Sequence, residues 1–390
     1  MRVRTRLREL RETLPAVYWT VWLGTLVNRA GAFVVPVLTF YLIDRRGLTL
    51  TAAGAVVAAY GAGSVIAALV GGMLADRLGR KVTMVGSLYG GAIMMMILGY
   101  VESPAAIAPI ILVLALVGDL YRPAVSAFVS DVVAPEYRQQ AYGMLYWAIN
   151  IGFSIAPVAA GLVATFSYRA LFLGDAATSA IFATIILLRV PESHPDPTRK
   201  HLASGGVGAV LRDRGFMWYW VCSFLLGFVI FQFATTLSGW MVSQGFGPGA
   251  YGAVLSINGL LIVLLQPALT EWSKRFDRRN VMAAAALLTG IGFALHGATA
   301  LLWVHAIAVA VWTSGEIVFA PAASAYVADR APPLLRGRYQ GISGMSGGIA
   351  SMLAPIIGPR VLAVSPLAMW GGCAVIGLVA AIGYRVMRQG

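Results

Sequence analysis

Twelve long apolar runs follow one another along the 390 residues, near 16–43, 51–75, 82–100, 105–130, 141–165, 168–190, 216–242, 250–270, 281–299, 302–328, 339–364 and 366–387. A helix needs about 20 such residues to cross hydrocarbon. Inside a bilayer only helices and closed barrels satisfy their own backbone groups. A barrel would alternate polar and apolar residues in segments of about ten, whereas these runs are continuous. The sequence therefore predicts an all-α membrane protein of twelve spans. Charged residues make up only 12% of the chain, against roughly 25% in soluble domains. The two cysteines, Cys222 and Cys373, lie in separate apolar runs and fit neither a disulfide framework nor a metal site.

The charges that remain set the orientation. Lys and Arg number 29 against 16 Asp and Glu, a net +13. With the N-terminus inside, 23 of the 29 basic residues fall in cytoplasmic segments, and four (Arg45, Arg46, Arg169 and Arg360) fall outside. That asymmetry is the positive-inside signal. It predicts a multi-pass cell-membrane protein with both termini cytoplasmic, and it removes any need for a nucleic-acid partner. Arg2, Arg4, Arg6, Arg8 and Arg11 precede an apolar run too long for a cleavable leader.

Displaced by 198 residues, the chain matches itself. Ser126–Asp131 falls on Ser324–Asp329, Arg138 on Arg336, Gly143 on Gly341, and Ala156-Pro157 on Ala354-Pro355. Trp22 falls on Trp220, while Gly47, Gly54 and Gly61 fall on Gly245, Gly252 and Gly259. Six spans before the repeat give both halves the same sense across the membrane. Two parallel-repeat six-helix bundles are expected, residues 1–190 and 216–390, joined by a polar linker, 191–215. The linker is expected on the cytoplasmic surface with a short helix near Val207 to Arg212, and no chemistry is assigned to it.

Between spans 2 and 3 stands Gly72-Met73-Leu74-Ala75-Asp76-Arg77-Leu78-Gly79-Arg80-Lys81. It resembles the cytoplasmic signature loop of the major facilitator superfamily at essentially every position. Span count, linker and parallel repeat extend the resemblance over the whole chain. Span 5, with Gly143, Gly152, Ala156-Pro157 and Ala160-Gly161, is similar to the glycine–proline motif of the drug:proton antiporter branch, with alanine at two of its glycines. There are two departures. Around Leu112 and Leu116, where that branch carries an arginine and then a glycine, span 4 is apolar, and the second copy of the loop, Thr270 to Arg279, keeps only its charges.

The resemblance implies secondary transport by alternating access. It also implies a gate in which Asp76 accepts hydrogen bonds from the N-terminus of span 11, where the helix dipole favours an anion. Arg77, Arg80 and Asp131 complete the charge cluster, and Gly72 and Gly79 permit close approach and a tight turn. Such a cluster would hold the outward-facing state and release in the other.

Ionisable groups within spans cost roughly 2.5–3.5 kcal/mol each, so they face the interior and mark candidate sites. Arg29 lies in span 1 beside Asn28, and Asp119 and Arg122 share one face of span 4. Glu316 lies in span 10, one residue from the repeat position of Asp119. Spans 1, 4, 7 and 10 line the cavity in the resembling family. Asp119 and Glu316 are therefore candidates to carry protons or hold a cation, with Arg29 and Arg122 tuning them. The competing reading is a permanent pair of Asp119 with Arg122 or Arg29. Arg29 fits an anionic substrate group as well as a structural pair. Asp175 in span 6 fits a pair with Arg169 or a cap on an outer cavity, and His296 and His305 read as interfacial. Asn28, Tyr121, Trp147, Asn150, Phe231, Gln232, Phe233 and Asn258 are expected to line a mostly apolar pocket suited to lipophilic or amphipathic compounds.

An enzyme has one foothold, the G-x-S-x-G pattern of Gly344-Met345-Ser346-Gly347-Gly348. That motif needs a strand–turn–helix setting and a histidine partner, and here it lies in a glycine-rich span. No Walker loop is present, so no ATP-driven pump and no cofactor are expected, only a proton gradient. The expected function is proton-coupled export of small lipophilic or amphipathic compounds by a monomer in the bilayer. Uptake of a peptide or metabolite, lipid export, and a receptor or scramblase on the same scaffold are the alternatives.

Overall fold

The computed structural model describes residues 13–134, 137–193, 207–273, 275–332 and 336–387. All regular structure among them is helical. Span 1 is built from α1 (Ala16–Ala30) and α2 (Val34–Phe40), span 2 from α3 (Leu50–Leu78), and span 3 from α4 (Arg80–Tyr100). Span 4 is built from α5 (Pro104–Gly118) and α6 (Tyr121–Val132), span 5 from α7 (Arg138–Phe166), and span 6 from α8 (Tyr168–Arg189). The linker helix α9 is Val207–Arg212, where a short helix was expected. Span 7 follows as α10 (Arg214–Ile230) and α11 (Thr236–Ser243), then α12 (Pro248–Ser273) and α13 (Arg278–Leu295). Last come α14 (Leu302–Arg330), α15 (Arg336–Val364) and α16 (Pro366–Val386).

Among the described residues, ten helical stretches are long and apolar enough to cross a membrane. Span 1 falls outside that set because it is two short helices rather than the continuous one expected. α1 stops at Gly31, and α2 runs into a π-helical turn, Tyr41–Arg45. Pro36 sits in the first turn of α2, where no N–H is required. The other segment outside the set is α13, a helix of 18 residues. Span 7 is interrupted like span 1, by a 3-10 turn at Phe231–Phe233.

The repeat survives as matching contacts. Trp22 Nε1 donates to the Met144 carbonyl and Trp220 Nε1 to the Ile342 carbonyl, both at 2.8 Å, with the second bond displaced from the first by the repeat offset. Ser167 caps α8 and Ser365 caps α16 in the same way. Gly47 and Gly245, another repeat pair, both take left-handed φ angles, +64° and +83°, which a Cβ would disfavour.

The two halves meet along α3 with α15 and along α7 with α12. Each seam is made by glycines facing backbone. Gly54 faces the Pro355 carbonyl, Gly61 faces Met352, Gly252 faces the Pro157 carbonyl and Gly259 faces Ser154. These positions all lie toward the end away from the basic loops. Toward the basic end, Gly72, Gly143, Gly341, Gly344 and Gly347 face open space. Among the described residues, the close glycine contacts between the halves thus lie toward one end, away from the basic loops. Ser346 lies inside α15, its hydroxyl bonded to the Ser343 carbonyl at 2.7 Å, so the G-x-S-x-G pattern has no strand–turn–helix setting.

Candidate functional site

Pro123 decides where the site opens. It offers no N–H to the Asp119 carbonyl and its ring crowds that carbonyl, so an α-helix is disfavoured through this point. α5 ends at Gly118 and α6 starts at Tyr121. The freed backbone groups are satisfied from α4. Ser87 Oγ donates to the Val117 carbonyl at 2.6 Å and accepts from the Tyr121 N–H at 3.0 Å. In hydrocarbon a break is tolerated only with partners of this kind.

The break presents Asp119. Its carboxylate accepts from Ser64 Oγ of α3 and pairs with Arg122 Nε at 2.9 Å. The Asp119 side chain is buried while that of Arg122 is 52% exposed, so the pair reaches from helix packing into open space. Of the two pairings expected for Asp119, the structure forms the one with Arg122. Arg29, in the last turn of α1, lies 5.3 Å over the Tyr121 ring, a cation–π geometry. Gly152 of α7 abuts Arg29 and Ala30, where a Cβ would collide.

Asp175 accepts from the N–H of Val34, the first residue of α2, at 3.4 Å. The carboxyl group sits at the N-terminus of a half-helix, where the dipole favours negative charge. The expected pair with Arg169 is not formed, for Arg169 lies 4.7 Å over the Tyr100 ring instead. His296 and His305, at the facing ends of α13 and α14, are fully buried. Their Nδ1 atoms lie 2.8 Å apart, and His305 Nε2 meets Gln244 Oε1 at 2.8 Å.

The second half contributes Glu316 of α14. Asn258 of α12 donates to Glu316 Oε2 at 2.7 Å and lies 3.1 Å from the Thr313 hydroxyl. Among the described residues Glu316 has no cationic partner. The remaining lining candidates divide. Asn28 bonds Ser179 of α8 at 3.0 Å, and Gln232 is fully buried with its Oε1 against Gly358. Both are held between helices. Asn150 is buried on the Tyr146 carbonyl, Tyr121 is buried beneath Arg29, and Trp147 is half-buried. Phe231 stacks on Phe233, which also meets Phe153 of the first half at 6.3 Å.

The signature loop turns at Gly79, whose φ of +101° favours glycine. Arg80 is buried and bonds Asp131 Oδ2 at 3.0 Å and the Ala75 carbonyl at 2.6 Å. Arg77 is exposed, and the side chain of Asp76 lies outside the described residues. The degenerate second loop repeats the central pair, Arg278 with Asp329, at the same offset. In span 5, Gly161 and Pro157 meet Gly249 and Gly252 of α12, so this end of the motif forms part of the seam between the halves, while Gly152 packs on Arg29. Sequence reading missed Ser64, Ser87 and Glu192. Glu192 opens the linker and accepts from the N–H groups of Lys81 and Val82 at the start of α4. Ser87 had one signal, a hydroxyl in an apolar span whose repeat partner is Ala285.

The Major Facilitator Superfamily model matches residues 21–251 and 234–389. The chain belongs to the major facilitator superfamily. It is 26% identical over 368 residues to a Na(+), Li(+), K(+)/H(+) antiporter of Planococcus maritimus, covering 85% of each chain. It is 25% identical to the multidrug resistance protein MdtH of Aeromonas salmonicida (strain A449), covering 86% of this chain and 84% of that one. Its fold is like that of the nucleoside transporter NupG (D323A mutant), with a TM-score of 0.80, 18% identity, and coverage of 96% and 100%. This major facilitator protein is a multi-pass membrane transporter. The candidate carboxyl groups and arginines within its spans are unevenly shared: an Asp–Arg pair, a second arginine and Asp175 in the first half, and one carboxyl group, Glu316, in the second. A carboxyl group bonded only to neutral groups can take up and release a proton without breaking an ion pair.

Proposed function

We propose that this protein is a proton-coupled exporter of small lipophilic or amphipathic compounds, working by alternating access of two six-helix bundles, residues 1–190 and 216–390. Twelve crossings with both termini in the cytoplasm follow from the positive-inside distribution. The basic end is then the cytoplasmic one, and the conformation described is inward-facing. The observation that carries the reading is Glu316, a mid-span carboxyl group held by Asn258 and without a cation. Across from it, Asp119 is engaged by Arg122 and Ser64. Protonation of Glu316 can favour one state over the other, which coupling requires. The antiporter and multidrug-resistance names of the two relatives support export over uptake. The Arg80–Asp131 pair of the signature loop lies within the first half, which supports its reading as the fixed part of a gate.

The test is proton flux in inside-out vesicles energised by respiration and read by a pH-sensitive dye. Adding a transported lipophilic compound should dequench the dye with wild type and leave it unchanged with Glu316→Gln. If no compound dequenches wild type, export falls, and uptake of peptides or nucleosides becomes the reading to pursue.

A further inference from the structure

Two arginines, Arg29 and Arg122, and two carboxyl groups, Asp119 and Asp175, lie in the spans of the first half, and among the described residues Arg29 forms an ion pair with neither carboxyl group. Arg122 takes Asp119, which is further occupied by Ser64. Asp175 is committed to the N-terminus of α2 through the Val34 N–H. Arg29 is left with the Tyr121 ring. Its Nε is buried and has no hydrogen-bond partner, and its guanidinium forms no ion pair among the described residues. The C-terminal end of α1 contributes about half a negative charge at most, and the ring face adds a weak attraction. Neither replaces the hydrogen bonds that a desolvated guanidinium loses. The side chain is not sealed, because Arg29 keeps partial exposure and the neighbouring Arg122 is half-exposed in the same open space.

We infer that Arg29 is the anchor for an oxyanion, a carboxylate or phosphate, carried on an otherwise apolar molecule. The planar guanidinium fork matches either oxyanion with two parallel hydrogen bonds. Tyr121 lies under the guanidinium, and Gly152 lets α7 pack against the Cβ and backbone of Arg29, which holds the base of the side chain in place. The spans that carry Arg29 are otherwise apolar over most of their length, which suits a ligand with its charge at one end. Glu316, on the opposite half, lies free to hold a proton or the cationic end of a zwitterion. The inference rests on the reading of this space as the transport cavity, and it narrows the substrate to acidic or zwitterionic amphiphiles rather than simple lipophilic cations.

The test is equilibrium binding to the full-length protein in dodecyl maltoside, a detergent without an oxyanion, with no gradient imposed. Octanoate and octyl phosphate are the probes, and octanol and octylammonium are matched controls, read by calorimetry. Both oxyanions should bind wild type about 10–100-fold more tightly than the controls, the range expected for hydrogen bonds to a charged group. Arg29→Gln should remove that preference and Arg29→Lys should restore part of it. Adding phosphatidylglycerol then separates the sources. Competitive displacement of octanoate assigns the site to a lipid headgroup, and its absence assigns it to a soluble amphiphile. Equal binding of octanol or octylammonium to wild type would overturn the inference without any variant, whether or not Arg29→Gln folds. Binding here is independent of proton flux. Oxyanion binding with no dye response would remove export and keep the site, while a dye response to cations alone would keep export and remove the site.

Discussion

Pro123 and Pro321 occupy the same place in the two halves, 198 residues apart, yet only the first interrupts its helix. α14 runs unbroken from Leu302 to Arg330 with Pro321 inside it, whereas span 4 is parted at Asp119 and Leu120. The difference lies in the neighbouring helix. Ser87 bridges the freed groups of the first half, and its repeat partner is Ala285, which has no hydroxyl to offer. α13 also lies tight on α14 there, with the Ala285 carbonyl against Gly315. A proline inside a membrane thus loosens a helix, but the helix opens only where a neighbour satisfies the backbone. The charged residues follow the same division. Asp119 and Arg122 stand at the break, and their repeat partners are Ile317 and Ala320.

The sharpest way to break this comparison is to neutralise one carboxyl group in each half. Glu316→Gln should reduce proton-coupled flux to background while leaving thermal stability near wild type, because Asn258 can bond an amide as well. Asp119→Asn should also impair flux, and in addition should lower stability by about 2 kcal/mol, since it strands Arg122 in a partly exposed pair. Equal melting temperatures for the two variants would refute the assignment of a structural pair to one half alone.

The prolines come next. Pro321→Ala should stabilise the purified protein, by at most about 3 kcal/mol, because it relieves a proline within a continuous helix. Pro123→Ala should bring no such gain, because the break there is already satisfied. If both variants rise equally in thermal unfolding, Ser87 is not what separates the halves.

Ser87→Ala tests that hydroxyl directly. Orphaning the Tyr121 N–H and the Val117 carbonyl should cost about 2 kcal/mol and shift Asp119, so proton-coupled flux should fall with it. Unaltered stability would mean that another group takes over the break.

The smallest effect is expected at the basic end of the second half. Asp213 caps α10 through the Gly215 and Phe216 N–H groups and pairs with Arg330 at 2.6 Å. Burial alone would raise this carboxyl, but hydrogen bonds from Arg330, Phe216 and Tyr339 outweigh it and hold its pKa at about 2. A depressed carboxyl contributes stability above its unfolded pKa of about 3.9 and loses that contribution as pH falls toward 2. Wild type should therefore lose about 1 kcal/mol of capping over that window, and Asp213→Asn should be flatter with pH. The first half has Pro15 at this position and should show no counterpart.

The sequence by itself determined what the solvent dictates. Continuous apolar runs, basic loops and a 198-residue offset were enough for helical spans and a repeat, because hydrocarbon leaves the backbone few options. The second Arg–Asp pair at Arg278 and Asp329 was legible for the same reason, as charges retained in a decayed loop. Burial cost also marked Arg29, Asp119, Arg122, Asp175 and Glu316 as candidates. What no single helix carries was left to the tertiary structure. It decided that Arg122 takes Asp119, that Asp175 goes to a helix end rather than to Arg169, and that Arg29 has no ion pair among the described residues. Each of these depends on which side chains from other spans come within about 3 Å, the reach of a hydrogen bond. Sequence spacing fixes neighbours along one helix, whereas the partner of a charge in a membrane interior is chosen by packing between helices.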